Sequence, residues 1–310
     1  MNAKDYLERI KYRGETTPTL DNLARICGAH VSNVPFENLD LFGGPPLSME
    51  LEGLYEKIVR RCRGGMSFEL NRLFQWLLVE LGFTVTVVQS ESYCVVNDAF
   101  VAVQPSLMVT MDDGERYLID VSFSKGFCLS SPLKFELLKE QPQPQGMFRV
   151  RSTGTQEVVY IEMRWFDVVD STGEASPAED IEKSFGDSKY RVKDWVIQHR
   201  ITVRSFEWNH FVPHLDAILS DSASRVRTNS ICAILRASTA TVLWGNSLIQ
   251  KQTSKSHRKG PEMMLSMNRM LLSDFPALLE VIRCVFGMRE FEMKFSPQSR
   301  DITSKPFIVY

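Results

Sequence analysis

One stretch decides how this chain folds: Arg63-Gly64-Gly65-Met66-Ser67-Phe68-Glu69-Leu70-Asn71. After its two glycines, apolar residues recur at helical spacing as far as Leu81, and Gly82 follows where a helix would end. The pattern predicts a buried helix that begins at Ser67. The side chain of Ser67 would then lie among the free N–H groups at the positive end of the helix dipole.

Two roles fit a serine at that position. A nucleophile is favoured there, because positive potential stabilises the anionic form of an attacking atom. A helix N-cap is favoured as well, since serine is among the best capping residues. The stretch by itself leaves both roles open for Ser67.

The same stretch resembles the arylamine N-acetyltransferases, which carry Arg-Gly-Gly-x-Cys at the start of such a helix. In that family the cysteine is the nucleophile and accepts the acetyl group of acetyl-CoA. Here Arg63-Gly64-Gly65-Met66 matches the motif, and Ser67 stands where the family has cysteine. The resemblance covers nearly the whole chain, through Leu7-Glu8-Arg9-Ile10, Val34-Pro35-Phe36-Glu37-Asn38-Leu39, Gln141-Pro142-Gln143 and Asp187-Ser188-Lys189-Tyr190 to the C-terminal tail.

The spacing of the apolar residues changes after Gly82, from a helical period to the extended, β-branched pattern of Thr84 to Ser90. The strands that follow have no helices between them, which favours an antiparallel sheet or barrel. The resemblance implies an α+β fold with a cysteine-protease-like core. Its parts would be an N-terminal helical bundle (1–82), a central antiparallel β-barrel (83–192), and an interdomain segment with a C-terminal α/β lid (193–310).

Turn and capping residues give finer predictions. Thr17 is expected to cap the second helix. Two segments, Ile231 to Arg236 and Ala240 to Ile249, are expected to form a hairpin. The basic stretch Lys251 to Lys259 is expected to be a solvated loop, and Asp170 to Asp187 an exposed insertion.

The resemblance implies a Cys-His-Asp triad in which the aspartate orients the imidazole and the imidazole takes the thiol proton. Asp120, at the end of the predicted strand Tyr117-Leu118-Ile119, fits the aspartate, and Phe123 in the turn that follows is implied in substrate binding. On residue pattern alone, Asp120 would also suit a strand-end aspartate bonded to backbone.

The histidine of the triad has no counterpart in this sequence. Counting back from Val109-Thr110 places Gln104 at its position, with Ser106 as the alternative, because the turn contains an extra residue. No histidine occurs between His30 and His199. Pro105 is a further departure, since proline removes a ladder donor from a central strand.

These changes predict weak chemistry. Glutamine cannot act as a base near neutral pH, and a serine hydroxyl needs a base to attack. The first hypothesis is a catalytically impaired family member, a pseudoenzyme that keeps the fold. The second is an active acyltransferase that uses Ser67 or direct acetyl transfer. The third, a serine hydrolase that uses Ser67, lacks both a histidine and a Gly-x-Ser-x-Gly elbow.

The composition of the chain limits the classes of binding partner that we expect. A net charge of −2 gives no reason to expect nucleic acid, and the longest apolar runs are shorter than a membrane span. The six cysteines are scattered without a CxxC pair, and Pro213 interrupts the pair His210 and His214, so no metal is expected. We therefore expect a cytoplasmic monomer with no resident cofactor. Acetyl-CoA would be its co-substrate, with CoA and an aromatic amine as small-molecule partners.

Overall fold

The computed structural model describes residues 1–94, 98–122, 128–155, 157–164, 167–168, 195–222, 224–255 and 263–288. Helices make up the N-terminal part: α1 (Ala3–Arg9), α2 (Leu20–Asn33), α3 (Leu51–Tyr55) and α4 (Ser67–Glu80). A 3₁₀ turn lies at Leu39–Phe42, and a π-helical turn at Glu56–Arg60 continues α3. Among the described residues, no helix is both long and apolar enough to cross a bilayer.

The ends of the helices follow from local sequence. α4 begins at Ser67, as predicted, and Gly82 follows it with a φ of 87° that a side chain would oppose. The cap of α2 differs from the prediction: Thr19, not Thr17, accepts from the N–H of Asn22. Thr17 instead accepts from the side chain of Asn22, so it supports the same turn from outside the helix.

A large antiparallel sheet curves into a nearly closed barrel with the strand order β5-β4-β3-β2-β10-β8-β7-β6. Its strands are β2 (Thr84–Cys94), β3 (Ala99–Thr110), β4 (Arg116–Ile119), β5 (Leu133–Lys134), β6 (Gln141–Gln143), β7 (Gly146–Ser152), β8 (Val158–Arg164) and β10 (Val196–Thr202). We retain the three-part division as a proposal, with one adjustment. The third part supplies β10, which pairs with β2 and β8 in the barrel.

The second sheet has the order β1-β11-β12-β13-β14-β9. Its strands are β1 (Phe36–Glu37), β9 (Asp167–Val168), β11 (Ile231–Arg236), β12 (Thr239–Trp244), β13 (Ser247–Lys255) and β14 (Met263–Leu271). The C-terminal part also contains a 3₁₀ turn at Trp208–Phe211 and the helices α5 (Val212–Ser220), α6 (Arg225–Thr228) and α7 (Phe275–Cys284).

The predicted hairpin is present as β11 and β12, which pair antiparallel. Its second arm is shorter than predicted: Ala240 to Ile249 is not one strand, because Gly245 at a φ of 54° turns the chain between β12 and β13. Lys251 does not open a loop: it is buried within β13 opposite Ala240. The charge pattern misled here because a strand can bury one lysine among neighbours that cover it. The predicted insertion, Asp170 to Asp187, lies outside the described residues.

Strand alternation separates two cores. Inside the barrel, Val88 and Met108 belong to an apolar cluster. On the outer surface, the neighbouring Val87 and Leu107 pack in the same cluster as Leu70 of α4. This alternation, with a period of two residues, seats α4 against the outside of the barrel. The start of α4 is thereby held beside the ends of β3 and β4.

Pro105 fits its place in β3, contrary to expectation. The last residue pair between β3 and β4 is Leu107 with Ile119, so β4 ends before it reaches Pro105. The Pro105 carbonyl accepts from Asn71 Nδ2 at 3.0 Å. Because the N–H and C=O of a strand residue point to the same neighbour, the missing N–H of Pro105 also faces the side without a strand. No ladder bond is lost there.

Candidate active site

Ser67 is the first residue of α4 and only 5% exposed. The N-cap is Met66, whose backbone N–H donates to Glu69 Oε2 at 2.8 Å. Glu69 therefore satisfies the helix end from its third position, as in one half of a capping box. Of the two roles that the sequence leaves open, the N-cap is excluded for Ser67. Its side chain lies in the first turn, where the helix dipole is positive.

The two glycines before Met66 let the chain run against β1. A Cβ on Gly64 would lie 1.9 Å from the Pro35 carbonyl oxygen, and one on Gly65 would lie 2.9 Å from Glu69 Oε2. The Gly65 carbonyl also accepts from the Glu37 N–H at 2.9 Å. Only glycine permits this approach, which sets the position from which α4 begins.

A buried group of charges surrounds this loop, and we call it the charged cluster: Glu37, Asp40, Lys57, Arg63 and Glu69. Arg63 contacts Glu37 and Asp40, each at 2.8 Å. Lys57, in the π-helical turn, contacts Asp40 at 2.7 Å and Glu69 at 2.8 Å. The carboxylate of Glu69 thus joins the charged cluster to the first turn of α4.

Burial and pairing compete within the charged cluster. Burial alone would raise the pKa of Asp40, but Lys57 and Arg63 outweigh it and lower that pKa below its ordinary value. For Glu69 burial prevails: its pKa is raised, although Lys57 opposes the shift. Asp40 contacts both cations, whereas Glu69 contacts only one of them, Lys57, so less of the cost of burying the Glu69 charge is offset.

Asp120 is fully buried directly after β4, and its hydrogen-bond donors among the described residues are all neutral. We call these donors the Asp120 cage: Asn71, Gln104, Ser106 and Ser122. Oδ1 accepts from Asn71 Nδ2 at 3.0 Å, from Ser122 Oγ at 2.6 Å and from the Ser122 N–H at 3.0 Å. Oδ2 accepts from Ser106 Oγ at 2.9 Å and from Gln104 Nε2 at 3.4 Å.

Burial raises the pKa of Asp120 above its ordinary value, and the hydrogen bonds from Asn71, Ser122 and Ser106 oppose that shift. Among the described residues, no imidazole and no cation bonds this carboxylate. Both candidates for the histidine position, Gln104 and Ser106, reach the same oxygen, Oδ2. The place that an imidazole would take beside Asp120 is therefore filled by an amide and a hydroxyl.

Asn71 connects the helix to the cage. It lies one turn after Ser67 on the same face of α4, because residues four apart share a helix face. Its Nδ2 bonds Asp120 and the Pro105 carbonyl, and its Oδ1 accepts from the Val121 N–H at 3.3 Å. Ser67 and Asp120 therefore lie on the same side of the molecule, joined through one asparagine.

Two histidines in the described part of the chain bond side chains of β2. His199, on β10, bonds Ser90 Oγ through Nδ1 at 2.8 Å, and Ser90 is opposite Gln104 in the sheet. His210 bonds Gln89 through Nε2 at 2.7 Å. In the described part of the chain, no group of three His, Cys, Asp or Glu side chains is arranged to hold a metal ion. Phe123, the predicted substrate contact, lies outside the described residues.

Sequence reasoning overlooked several members of this site. Asn71 belongs to the stretch that decides the fold, and its spacing of four from Ser67 was a usable signal. Ser122 sits two residues after Asp120, the spacing at which an aspartate bonds its own backbone in a turn. The charged cluster gave no comparable signal, because Lys57 and Glu37 meet only through tertiary folding.

Comparison with known proteins identifies related chains. A family model described as N-acetyltransferase matches residues 19–276. The pineal gland isozyme NAT-3 of arylamine N-acetyltransferase from Gallus gallus is 35% identical over 158 residues, 50% of this chain. In that alignment the chain spans about half the length of the relative, 54%. Arylamine N-acetyltransferase 2 from Mus musculus is 25% identical over 305 residues, 97% of this chain and 98% of that protein.

Solved structures extend the likeness to the fold. The structure of Mycobacterium marinum arylamine N-acetyltransferase in complex with CoA matches with a TM-score of 0.73 at 23% identity, over 93% of each chain. The predicted α+β fold with a central barrel is confirmed by this likeness. With the family model covering residues 19–276, the chain belongs to the arylamine N-acetyltransferase family.

Proposed function

We propose that this protein is a catalytically impaired arylamine N-acetyltransferase that retains a cleft for CoA and acetyl-CoA. The positions corresponding to the family's cysteine, histidine and aspartate are Ser67, Gln104 and Asp120. One observation carries the proposal: Asp120 Oδ2 is bonded by Ser106 and Gln104, neither of which is a base. In the described part of the chain, no imidazole therefore stands beside Asp120 to take the proton of the nucleophile position.

The expected loss is large. General-base assistance is worth about 10² to 10⁴ in rate, and a serine hydroxyl forms almost no anion near neutral pH. The positive end of α4 favours an anion at Ser67, but a dipole cannot accept a proton. What remains would come from binding and from oriented backbone donors.

Cofactor binding has no such requirement. Holding the phosphates and pantetheine of CoA depends on shape and hydrogen bonds, which the loss of a thiol and an imidazole leaves intact. The related M. marinum enzyme has been solved with CoA, in the same fold. We therefore propose CoA and acetyl-CoA as ligands of a cytoplasmic monomer, and an aromatic amine as the acceptor type that the family fold accommodates.

A double-mutant cycle tests the assignment of the site. Ser67→Cys alone should recover little acetyl transfer, because the thiol would still lack an imidazole. Ser67→Cys with Gln104→His should recover more than the sum of the two single changes, since nucleophile and base act as a unit. The matched control is Ser67→Cys with Ser106→His, because Ser106 reaches the same oxygen of Asp120. If neither pair exceeds the singles, the triad positions are wrongly assigned.

Isothermal calorimetry with CoA tests the binding half of the proposal. We expect saturable heat with the unmodified protein and a matching rise in melting temperature. An absence of heat and of thermal shift at millimolar CoA would show that the protein no longer binds the cofactor. Turnover of acetyl-CoA and an arylamine at a rate typical of enzymes would instead support the active acyltransferase that the sequence left as an alternative.

A further inference from the structure

The barrel has a seam between its edge strands β5 and β6, and glutamine side chains close it. Gln141 accepts from the Lys134 N–H at 2.8 Å and donates to the Lys134 carbonyl at 2.9 Å. Gln143 likewise accepts from the Ser131 N–H at 3.1 Å and donates to the Ser131 carbonyl at 2.8 Å. Each glutamine thus makes the pair of hydrogen bonds that a strand residue makes with its neighbour.

The sequence Gln141-Pro142-Gln143-Pro144-Gln145 explains why side chains do this work. Prolines have no N–H, so Pro142 and Pro144 cannot donate to a neighbouring strand. A glutamine side chain carries both a donor and an acceptor on one amide, as the backbone does. The alternating prolines and glutamines therefore transfer closure of the barrel from backbone to side chains.

Gln145 occupies the end of this seam nearest to Asp120. Its Nε2 donates to the Cys128 carbonyl at 2.9 Å and lies 3.0 Å from the Cys128 sulfur. The next residue, Leu129, donates its N–H to the Asp120 carbonyl at 2.9 Å. By bonding Cys128, Gln145 therefore fixes the backbone next to Leu129, whose N–H bonds the Asp120 carbonyl.

Gln145 differs from the other two glutamines in one respect. It is 7% exposed, and its Oε1 has no hydrogen-bond partner in the part of the chain that the structure describes. An unpaired buried oxygen lowers stability, so a glutamine kept for stability alone would use both ends of its amide. Gln141 and Gln143 do use both ends.

We propose that Gln145 is a positioning residue of the ligand site: it sets Cys128 against Asp120, while Gln141 and Gln143 close the barrel at a distance from the site. Its effect on ligand binding rests on the proposed function, because that function supplies CoA as the ligand. Its effect on the backbone beside Asp120 does not depend on any ligand.

The test compares Gln145→Met with Gln141→Met, since methionine keeps the length of glutamine and removes the amide. Amide hydrogen exchange on the protein without ligand is the first readout. Gln145→Met should speed exchange at the Leu129 N–H about tenfold or more, as expected for the loss of one buried hydrogen bond, and leave Lys134 unchanged. Gln141→Met should do the reverse. Equal acceleration of Leu129 in both variants would overturn the inference.

Gln145→Glu provides a second variant with a side chain of the same size. An ionised carboxylate cannot donate to the Cys128 carbonyl, so near neutral pH this variant should expose Leu129 as Gln145→Met does. At acidic pH, after correction for intrinsic exchange rates, the protonated form should restore part of the protection. If Gln145→Glu exposed Leu129 only by disturbing the fold, acid would not restore the protection of its N–H. Protection of the Leu129 N–H that does not change with pH would contradict the positioning role.

CoA affinity is the remaining readout, measured by calorimetry on folded protein. The Kd should rise about tenfold for Gln145→Met and stay unchanged for Gln141→Met. If the unmodified protein binds no CoA, the proposed function fails while the exchange experiment still decides the role of Gln145. If the unmodified protein binds CoA and both variants bind it equally well, the positioning role is wrong.

Discussion

The carboxylates of Asp40 and Asp120 are both buried near the first turns of α4, yet their partners differ in kind. Asp40 is held by two cations, Lys57 and Arg63, within the charged cluster. Asp120 is held by amides and hydroxyls of the Asp120 cage, with no cation in contact among the described residues. One carboxylate is paired charge against charge, and the other is solvated by protein dipoles.

The two groups differ in what they hold: the charged cluster fixes the start of α4, and the Asp120 cage surrounds a carboxylate. The charged cluster fixes the loop of Gly64 and Gly65 and the start of α4, so the position of residue 67 is preserved. The Asp120 cage holds its aspartate with donors that cannot take up a proton. On the proposed function, the fold would keep the residues that place a nucleophile without those that activate it.

Breaking the charged cluster should have the largest effect on stability. Arg63→Ala would leave the buried Glu37 without a contacting cation and Asp40 with Lys57 alone, so we expect about 3–5 kcal/mol of unfolding free energy to be lost. Urea denaturation measures this loss. The control is Arg60→Ala, whose pair with Glu56 is exposed and should be worth under about 1 kcal/mol. Similar losses in the two variants would show that the buried charged cluster contributes no more to stability than an exposed ion pair.

The glycine loop should be the next most sensitive feature. Gly64→Ala places a Cβ against the backbone oxygen of Pro35, which cannot move aside as a side chain would. We expect a loss of about 1–3 kcal/mol or more from overpacking. Gly53→Ala is the matched control: nothing lies within 4 Å of its Cβ, and the residue is inside α3. There alanine should stabilise the protein by roughly 0.5–1 kcal/mol. Urea denaturation should therefore show changes in unfolding free energy of opposite sign for Gly64→Ala and Gly53→Ala.

Asp120→Asn should have a moderate effect. The amide keeps the shape of the side chain but presents its own N–H groups to donors of the cage, so one or two buried hydrogen bonds are lost. A loss of about 1–3 kcal/mol follows. Thermal or urea unfolding measures it, with Asp98→Asn on the exposed side of the barrel as control. A neutral result would mean that the cage contributes little to the fold.

The smallest expected effect is a difference in the sign of pH dependence. The pKa of Asp40 is lowered, so its contribution to stability is present above its ordinary value of 3.8 and is lost as the pH falls through its folded value. The pKa of Asp120 is raised, so its charged form opposes folding, and stability declines as the pH rises through its folded value. Measured against pH, the loss of unfolding free energy caused by Asp40→Asn should therefore grow as the pH rises, whereas the loss caused by Asp120→Asn should shrink.

Only part of the fold and of the candidate site could be predicted from the sequence. The start of α4 was predictable because glycine, serine and apolar spacing are local signals, and Gly82 marked its end. The place of Asp120 directly after a strand was predictable from the extended run Tyr117-Leu118-Ile119. Pro105 in a central strand was not, because its place depends on where β4 stops. The buried Lys251 was missed for a similar reason: its burial depends on how β13 packs in the folded sheet.

The proposed function places Ser67 in a preserved frame without a base. Its most direct test is the intact mass of the unmodified protein after incubation with acetyl-CoA and no amine, followed by peptide mapping of residue 67. An active family enzyme would gain one acetyl group on its nucleophile. We predict no such gain at Ser67 within a time in which such an enzyme is fully acetylated. Rapid acetylation of Ser67, passed on to an added arylamine, would contradict the account.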